Sequence, residues 1–233
     1  DLSDFLTAVQ NGSIDNNWGN PGPDDDVQPN QINFSLMAPG TIFTMAGEQY
    51  RYLENQGGGN HMIIRNASLG STTFDNQDNT LSDWYNNLDL AVRSMVRPVA
   101  NTFQNDGKVS QQEINWGESN LWIPTNLHDF PDVAEDETRV DTSGTPRAFS
   151  LSLADVTRLS GPDRAFPNFN ERLSSNNAGW WLRTPAGVVE GHERAWRITQ
   201  AYNDGSRGQL RSGANRLGQR LSIRPVIFIN QPS

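Results

Sequence analysis

Trp180-Trp181-Leu182-Arg183-Thr184-Pro185 and Ile223-Arg224-Pro225-Val226-Ile227-Phe228-Ile229 are the densest apolar and aromatic runs in this chain. Tryptophan, valine, isoleucine and phenylalanine suit a pleated, half-buried surface, so both runs read as core strands. Each run sets an arginine against its apolar residues, and each carries a proline just after it. Proline cannot donate to a ladder, which places it at a strand end or an edge. The pair reads as two neighbouring strands with a long polar excursion between them. Arg183 and Arg224 are expected to be partly buried, bonded to backbone carbonyls or carboxylates, and structural. Trp196-Arg197-Ile198 reads as a further strand inside the excursion.

Working outward, Ile32 to Leu53 reads as two strands joined by Ala46-Gly47-Glu48. His61-Met62-Ile63-Ile64-Arg65, after the glycine run at 57–59, reads as a third. His61 is expected to be a hydrogen-bonded surface residue and not a ligand. Trp84, Leu88, Val92, Met95 and Val99 repeat at helical spacing, which predicts one core helix capped by Thr80 or Ser82 and ended near Arg97 by Pro98. Ser152 and Asp155 form a capping-box-like pair before a short helix with Leu153, Val156 and Leu159 inward. Gly161-Pro162 stops it. Leu2, Phe5, Leu6 and Val9 make a short amphipathic pattern. Asn11 to Gln31 then dissolves into Gly, Pro, Asn and Asp. Residues 1–31 are therefore read as an N-terminal arm or linker and 32–233 as one domain. Asp24-Asp25-Asp26 is read as a solvated run.

W-W-L-R-T-P followed by I-R-P-V-I-F-I resembles the ending of a bacterial extracellular domain family without an assigned function. Its members typically read W-W-L-R-[ST]-P, then a G-[VI]-R-P-[AV] strand. Pro39 to Leu53 resembles that family's opening hairpin, and Phe149 to Val156 its helix entry, so the likeness spans roughly Ser35 to Asn230. Ser222 stands where the family usually has Gly, so the turn there is expected to differ. The ending is also similar to the final strand of C-type-lectin-like folds, including the formylglycine-generating-enzyme group and phage receptor-binding tips. The resemblance implies an α+β, C-type-lectin-like domain: a twisted, mainly antiparallel sheet, two principal helices, long loops, and first and last strands close together. It implies a bacterial cell-surface setting.

The bulk numbers agree with a turn-rich domain. Among 233 residues, Gly 20 and Pro 13 accompany a hydrophobic content of 35%, and mean hydropathy is -0.65. No run approaches the ~18 apolar residues of a membrane helix. The chain begins with Asp1, which suggests a piece of a longer surface protein. Cysteine is absent, which removes disulfides, thiolate metal sites and cysteine nucleophiles together. The net charge is -9, which argues against nucleic acid as a partner. Charge is uneven, however. Residues 180–233 carry eight arginines against Glu190, Glu193 and Asp204.

The chemistry of catalysis is not legible. His61, His128 and His192 make no metal-ligand spacing. No nucleophile elbow, P-loop or dinucleotide fingerprint occurs. Thr102 to Glu113 imitates a calcium loop but has threonine where the motif needs aspartate. The copper-binding cysteines of the formylglycine-generating group are missing, as is the histidine cluster of the related sulfoxide synthases. A carboxylate-pair glycosidase stays open, because such pairs meet in space and not in sequence. The reading is a non-catalytic binding or adhesion module for a glycan or protein ligand, with no metal or cofactor. The alternatives are a stalk spacer or a carboxylate-dependent glycoside hydrolase. The expected ligand site is the late-strand excursion, where Asn203, Asp204, Arg207, Arg211 and Asn215 supply donors and acceptors; Trp116 and Trp122 read first as edge packing under a long loop, and would add stacking if they lie at the same end. The competing account pairs the excursion's arginines with the acidic loop Asp129–Asp141.

Overall fold

The computed structural model describes residues 21–103, 107–118, 121–201 and 206–232. Two five-stranded sheets carry the fold. The first is ordered β1 (Asp26–Val27), β2 (Ile42–Met45), β3 (Glu48–Asn55), β4 (Asn60–Arg65) and β12 (Val226–Asn230). The second is ordered β10 (Leu210–Asn215), β9 (His192–Ile198), β8 (Trp180–Val189), β11 (Leu221–Ile223) and β5 (Leu69–Thr72). Pairing is antiparallel except for β1 with β2 and β8 with β11. A two-strand ladder joins β6 (Pro98–Val99) to β7 (Thr145–Pro146). Four short helices are present among the described residues: α1 (Gln77–Asn86), α2 (Leu90–Arg93), α3 (Pro131–Ala134) and α4 (Leu153–Leu159). The class is α+β with mostly antiparallel sheets.

The unbroken apolar runs are explained by burial on both faces. Trp180, Leu182, Trp196, Val226 and Phe228 fill one core, together with Phe149 and Leu151. Trp181, Ala195, Ile227 and Ile229 fill a second, together with Phe34, Phe43 and Tyr52. Successive strand residues point to opposite faces, so each run feeds both cores in alternation. Half-burial would have demanded polar residues at every second position.

The closing run does not stay in one sheet. Ser222 pairs with Trp180, so the start of the run neighbours β8 as expected. After Arg224-Pro225 the chain crosses to the first sheet, where Val226 to Asn230 pair with Ile64 to Asn60. The expectation that first and last strands lie together is corrected here. β12 pairs with the third core strand, and β1 and β2 sit at the other edge. Bridges from Val96 and Phe149 cover the outer side of β12.

Three local expectations are also corrected. The stripe from Trp84 to Val99 is not one helix. The side chain of Asp89 accepts from the Ala91 N–H and starts α2 separately, and Pro98 falls in β6. A short acidic side chain offers the backbone this alternative to helix continuation. The first of the two helices begins at Gln77, earlier than the Thr80 or Ser82 cap predicted. His61 is buried and not a surface residue: its Nδ1 lies 2.7 Å from the Tyr52 hydroxyl, and Phe34 stacks on it. The turn at Ala46-Gly47 does form, with φ of 50° and 81°. The Ser152–Asp155 capping box forms as well. In the stretch read as an arm, Asp25 and Asp26 accept from the Gly22 and Gly47 N–H groups. Residues 1–20, including the amphipathic pattern at Leu2 to Val9, lie outside the described residues.

Burial holds the His61 pKa below its ordinary value, because the charged imidazolium would lose water. The unfolded chain then binds the extra proton first. Stability is fully present above about pH 6.5, the unfolded value, and falls as pH drops below it. Urea unfolding midpoints measured from pH 8 to pH 5 are expected to decline on the acid side. The decline should be shallower in His61→Gln, and an identical profile would remove His61 from the account.

Candidate functional site

The late-strand excursion folds back as β9, β10 and their connections. Asn203 and Asp204 lie outside the described residues. Arg207 is exposed and touches Asn170 Oδ1 at 3.5 Å. Arg211 donates to the Gln209 side chain. Asn215 accepts from the Leu217 and Gly218 N–H groups, shaping the turn into β11.

Gln111 and Leu121 lie along β10. Leu210 N–H donates to the Leu121 carbonyl, and Ser212 exchanges bonds with Gln111. This brings Trp116 and Trp122 to the same end as Arg207 and Arg211. Their rings, however, are turned inward. Trp122 is 7% exposed, with the Arg172 guanidinium 4.3 Å from its centroid and Phe169 at 4.8 Å. Trp116 packs on Trp196 and donates Nε1–H to the Gln111 carbonyl. Neither ring is laid out as a stacking platform. Among the described residues, the acidic loop does not pair with the excursion's arginines either. Asp136 binds Arg183 and Glu137 binds Arg139 and Arg158, whereas Arg216 binds Asp75 and Glu193.

Four arginines form an internal frame. In β8 a bulge between Trp181 and Pro185 detaches Arg183 from the ladder, and its N–H bonds Leu151 instead. The guanidinium then reaches Asp136 at 2.7 Å, Thr138 Oγ1 at 2.6 Å and Asp155 at 3.5 Å. Asp155 is fully buried and also accepts from the Thr138 and Ser152 N–H groups. Arg224 is fully buried and donates to the Arg65 and Arg172 carbonyls at the crossing between the sheets. Arg51 reaches the Ala165 carbonyl and Glu171. Arg172 donates to the carbonyls of Gly208, Trp122 and Leu121. Burial lowers the pKa of both Arg172 and Arg224 to about 9, so both stay charged at neutral pH. Sequence reasoning missed Arg172, which sits in a Pro- and Asn-rich loop with no apolar run beside it. Gly208, at φ 62°, lies against the Phe169 backbone so closely that a Cβ would sit 1.9 Å from its carbonyl oxygen. That contact sets the carbonyl that Arg172 needs.

One cleft of about 210 Å³ opens at the seam between the two cores. Phe74, Phe103 and Phe149 give it aromatic walls, and Leu81 closes one side. Its polar lining includes Asp75, Gln77, Asp78, Arg147 and Arg183. Gln77 and Ser150 are bonded to each other at 2.7 Å, and Gln77 donates to the Leu182 carbonyl, so this floor is rigid. Both Arg147 and Arg183 stack on Phe103, at 4.7 and 3.8 Å. Arg147 spends Nε and Nη2 on the Ala100 carbonyl, and its Nη1 has no partner among the described residues. Burial, offset by nearby Asp78 and reinforced by the like charge of nearby Arg183, holds its pKa below the usual guanidinium value. Asp78 is exposed and has no hydrogen bond or ion pair among the described residues. Larger hollows exist, such as one of about 530 Å³ beside Arg158. There the guanidinium is committed to Glu54, Glu137 and Asp155.

Among the described residues no group of three or more His, Asp or Glu side chains is arranged to hold a metal ion. The calcium-like stretch is only partly described, and its Glu113 accepts from the N–H and hydroxyl of Ser110. No helix among the described residues is long and apolar enough to cross a membrane. No protein-family model, curated protein or solved structure matches this chain.

Proposed function

We propose that this domain is a non-catalytic ligand-binding module of a bacterial surface protein. Its ligand site is the seam cleft, and a sugar or a similarly polar group of a glycan is the chemistry that fits. The observation that carries this reading is the joint presence of aromatic walls with an unspent acceptor, Asp78, and an unspent donor, Arg147 Nη1. Sugars present an apolar ring face together with hydroxyls that both donate and accept. The remaining ionisable groups of the cleft are consumed: Asp75 holds Arg216, and Arg183 holds Asp136 and Asp155. This favours binding over acid–base hydrolysis of a glycan, which uses a pair of carboxyl groups where this cleft has Asp78 alone uncommitted. The C-type-lectin-like reading is supported by the mostly antiparallel sheets, few helices and long loops. The separation of first and last strands within their sheet stands against it.

A glycan array probed with the full chain tests the reading. The unmodified protein is expected to retain a defined subset of glycans, and Asp78→Asn and Arg147→Gln to lose at least tenfold in affinity while folding normally. Unchanged retention in both variants would place the site elsewhere. Cleavage of a retained glycan, abolished by Asp75→Asn or Asp78→Asn, would make the domain a hydrolase.

A further inference from the structure

Outside the lining of the cleft, one pair of charges lacks a counter-charge among the described residues. β9 and β10 pair so that Arg211 lies directly opposite Arg197. Direct cross-strand partners share a face and set their Cβ atoms about 5 Å apart, where like charges repel. Trp181 is the partner of Arg197 on its other side, and is itself covered by Phe74. The carboxylates that border this face are spent, since Asp75 and Glu193 both pair with Arg216, which stacks on Phe74. The Arg197 side chain has no hydrogen bond or ion pair among the described residues, and its Nε is buried without a partner. Arg211 donates Nε–H and Nη2–H to the neutral Gln209 side chain at 3.1 and 2.9 Å. A bulge between Arg211 and Ala214 breaks the ladder just beyond the pair. Bulges re-aim the side chains beside them and recur next to functional sites.

We propose that Arg197 and Arg211 form a binding site for a tetrahedral oxyanion, the sulfate or phosphate group of a ligand. Two guanidiniums carry two positive charges, which one dianion matches and a single carboxylate does not. Planar forks bind such oxygens in a bidentate manner, with shorter and stronger bonds than neutral donors make. An occupant would give the buried Arg197 Nε–H its missing acceptor and cancel the repulsion across the ladder. The site uses residues distinct from the cleft, so either stands without the other.

The test is thermal unfolding and calorimetric titration of the full chain with inorganic sulfate, inorganic phosphate and acetate, against chloride at equal ionic strength. Sulfate and phosphate are expected to bind saturably and raise Tm, and acetate to bind at least tenfold more weakly. The tighter of the two tetrahedral anions identifies whether sulfate or phosphate esters are the natural source. Arg197→Gln and Arg211→Gln should each raise Tm in chloride, by removing repulsion, and weaken sulfate binding at least tenfold. Asp204→Asn should leave both readouts unchanged. A fall in Tm in chloride for either arginine variant would make the pair structural and overturn the proposal. Sulfate binding retained in the Arg197→Gln/Arg211→Gln double variant, or acetate binding as tightly as sulfate, would overturn it too. So would a loss of stability in Asp204→Asn, which would make that carboxylate the counter-ion.

Discussion

Arg183→Ala is expected to cost about 3–5 kcal/mol, the usual penalty for stranding one half of a buried ion pair. The variant would leave Asp136 without its cation and the fully buried Asp155 with Arg158 alone, and would uncover one face of Phe103. For a chain of this size that corresponds to a drop in Tm of about 10 °C. Burial already pushes the Asp136 carboxyl above the ordinary range, and Arg183 is what pulls it back. Without the guanidinium the carboxyl should rise further in the folded state. A raised carboxyl pKa means the folded state binds the extra proton, so the variant gains stability as pH falls through that value. The deficit of Arg183→Ala should therefore be smaller at pH 5 than at pH 8. Adding Asp136→Asn should recover part of it at pH 8. Chemical denaturation of the single and double variants at both pH values measures this, and an unchanged midpoint for Arg183→Ala would show that the pair carries no stability.

Arg172→Ala is expected to be at least as damaging, at about 5 kcal/mol or more. The side chain is fully buried and makes no ion pair with a carboxylate among the described residues; its donors go to three backbone carbonyls and the Ser160 hydroxyl. Removing it leaves several buried acceptors dry, each costing about 1–3 kcal/mol, and opens a void beneath Trp122 and Phe169. Arg172→Lys should not rescue the fold, because an ammonium presents its donors at one point where the site needs a wide fork. Arg172→Met restores volume without donors and should lie between alanine and the parent. Soluble yield and circular dichroism of the three variants check the order. A folded Arg172→Lys with parental Tm would mean that charge, and not the fork, is what the site requires.

The buried arginines differ in how they show in the sequence. Arg183 and Arg224 stand inside apolar runs, where a cation must be buried and must find acceptors. Arg172 follows Pro167-Asn168-Phe169 in a segment that reads as a solvated loop. Only its distant partners, Leu121, Trp122 and Gly208, reveal it as core. Trp116 and Trp122 allow two readings in sequence, packing under a long loop or a stacking platform. Two tryptophans near glycine and asparagine resemble a platform in sequence, yet Trp196 and Arg172 claim their faces from elsewhere in the chain. The cleft was equally hidden. Asp78 and Arg147 lie far apart in the chain and have no shared pattern, and the fold alone sets them around Phe103.

Local chemistry by itself determined the turn at Ala46-Gly47, the capping box at Ser152 and the strand character of the two long apolar runs. Each depends on backbone dihedrals, a bond three residues away or side-chain shape, all of which are local quantities. Tertiary structure alone decided that the closing run divides at Arg224-Pro225 between two sheets and that His61 is buried. It alone decided which arginines are neutralised. Asp136 and Asp155 reach Arg183, Asp75 and Glu193 reach Arg216, and Arg197 is left facing Arg211. Charge pairing is set by distances through space. A sequence that states how many charges there are does not state which of them meet.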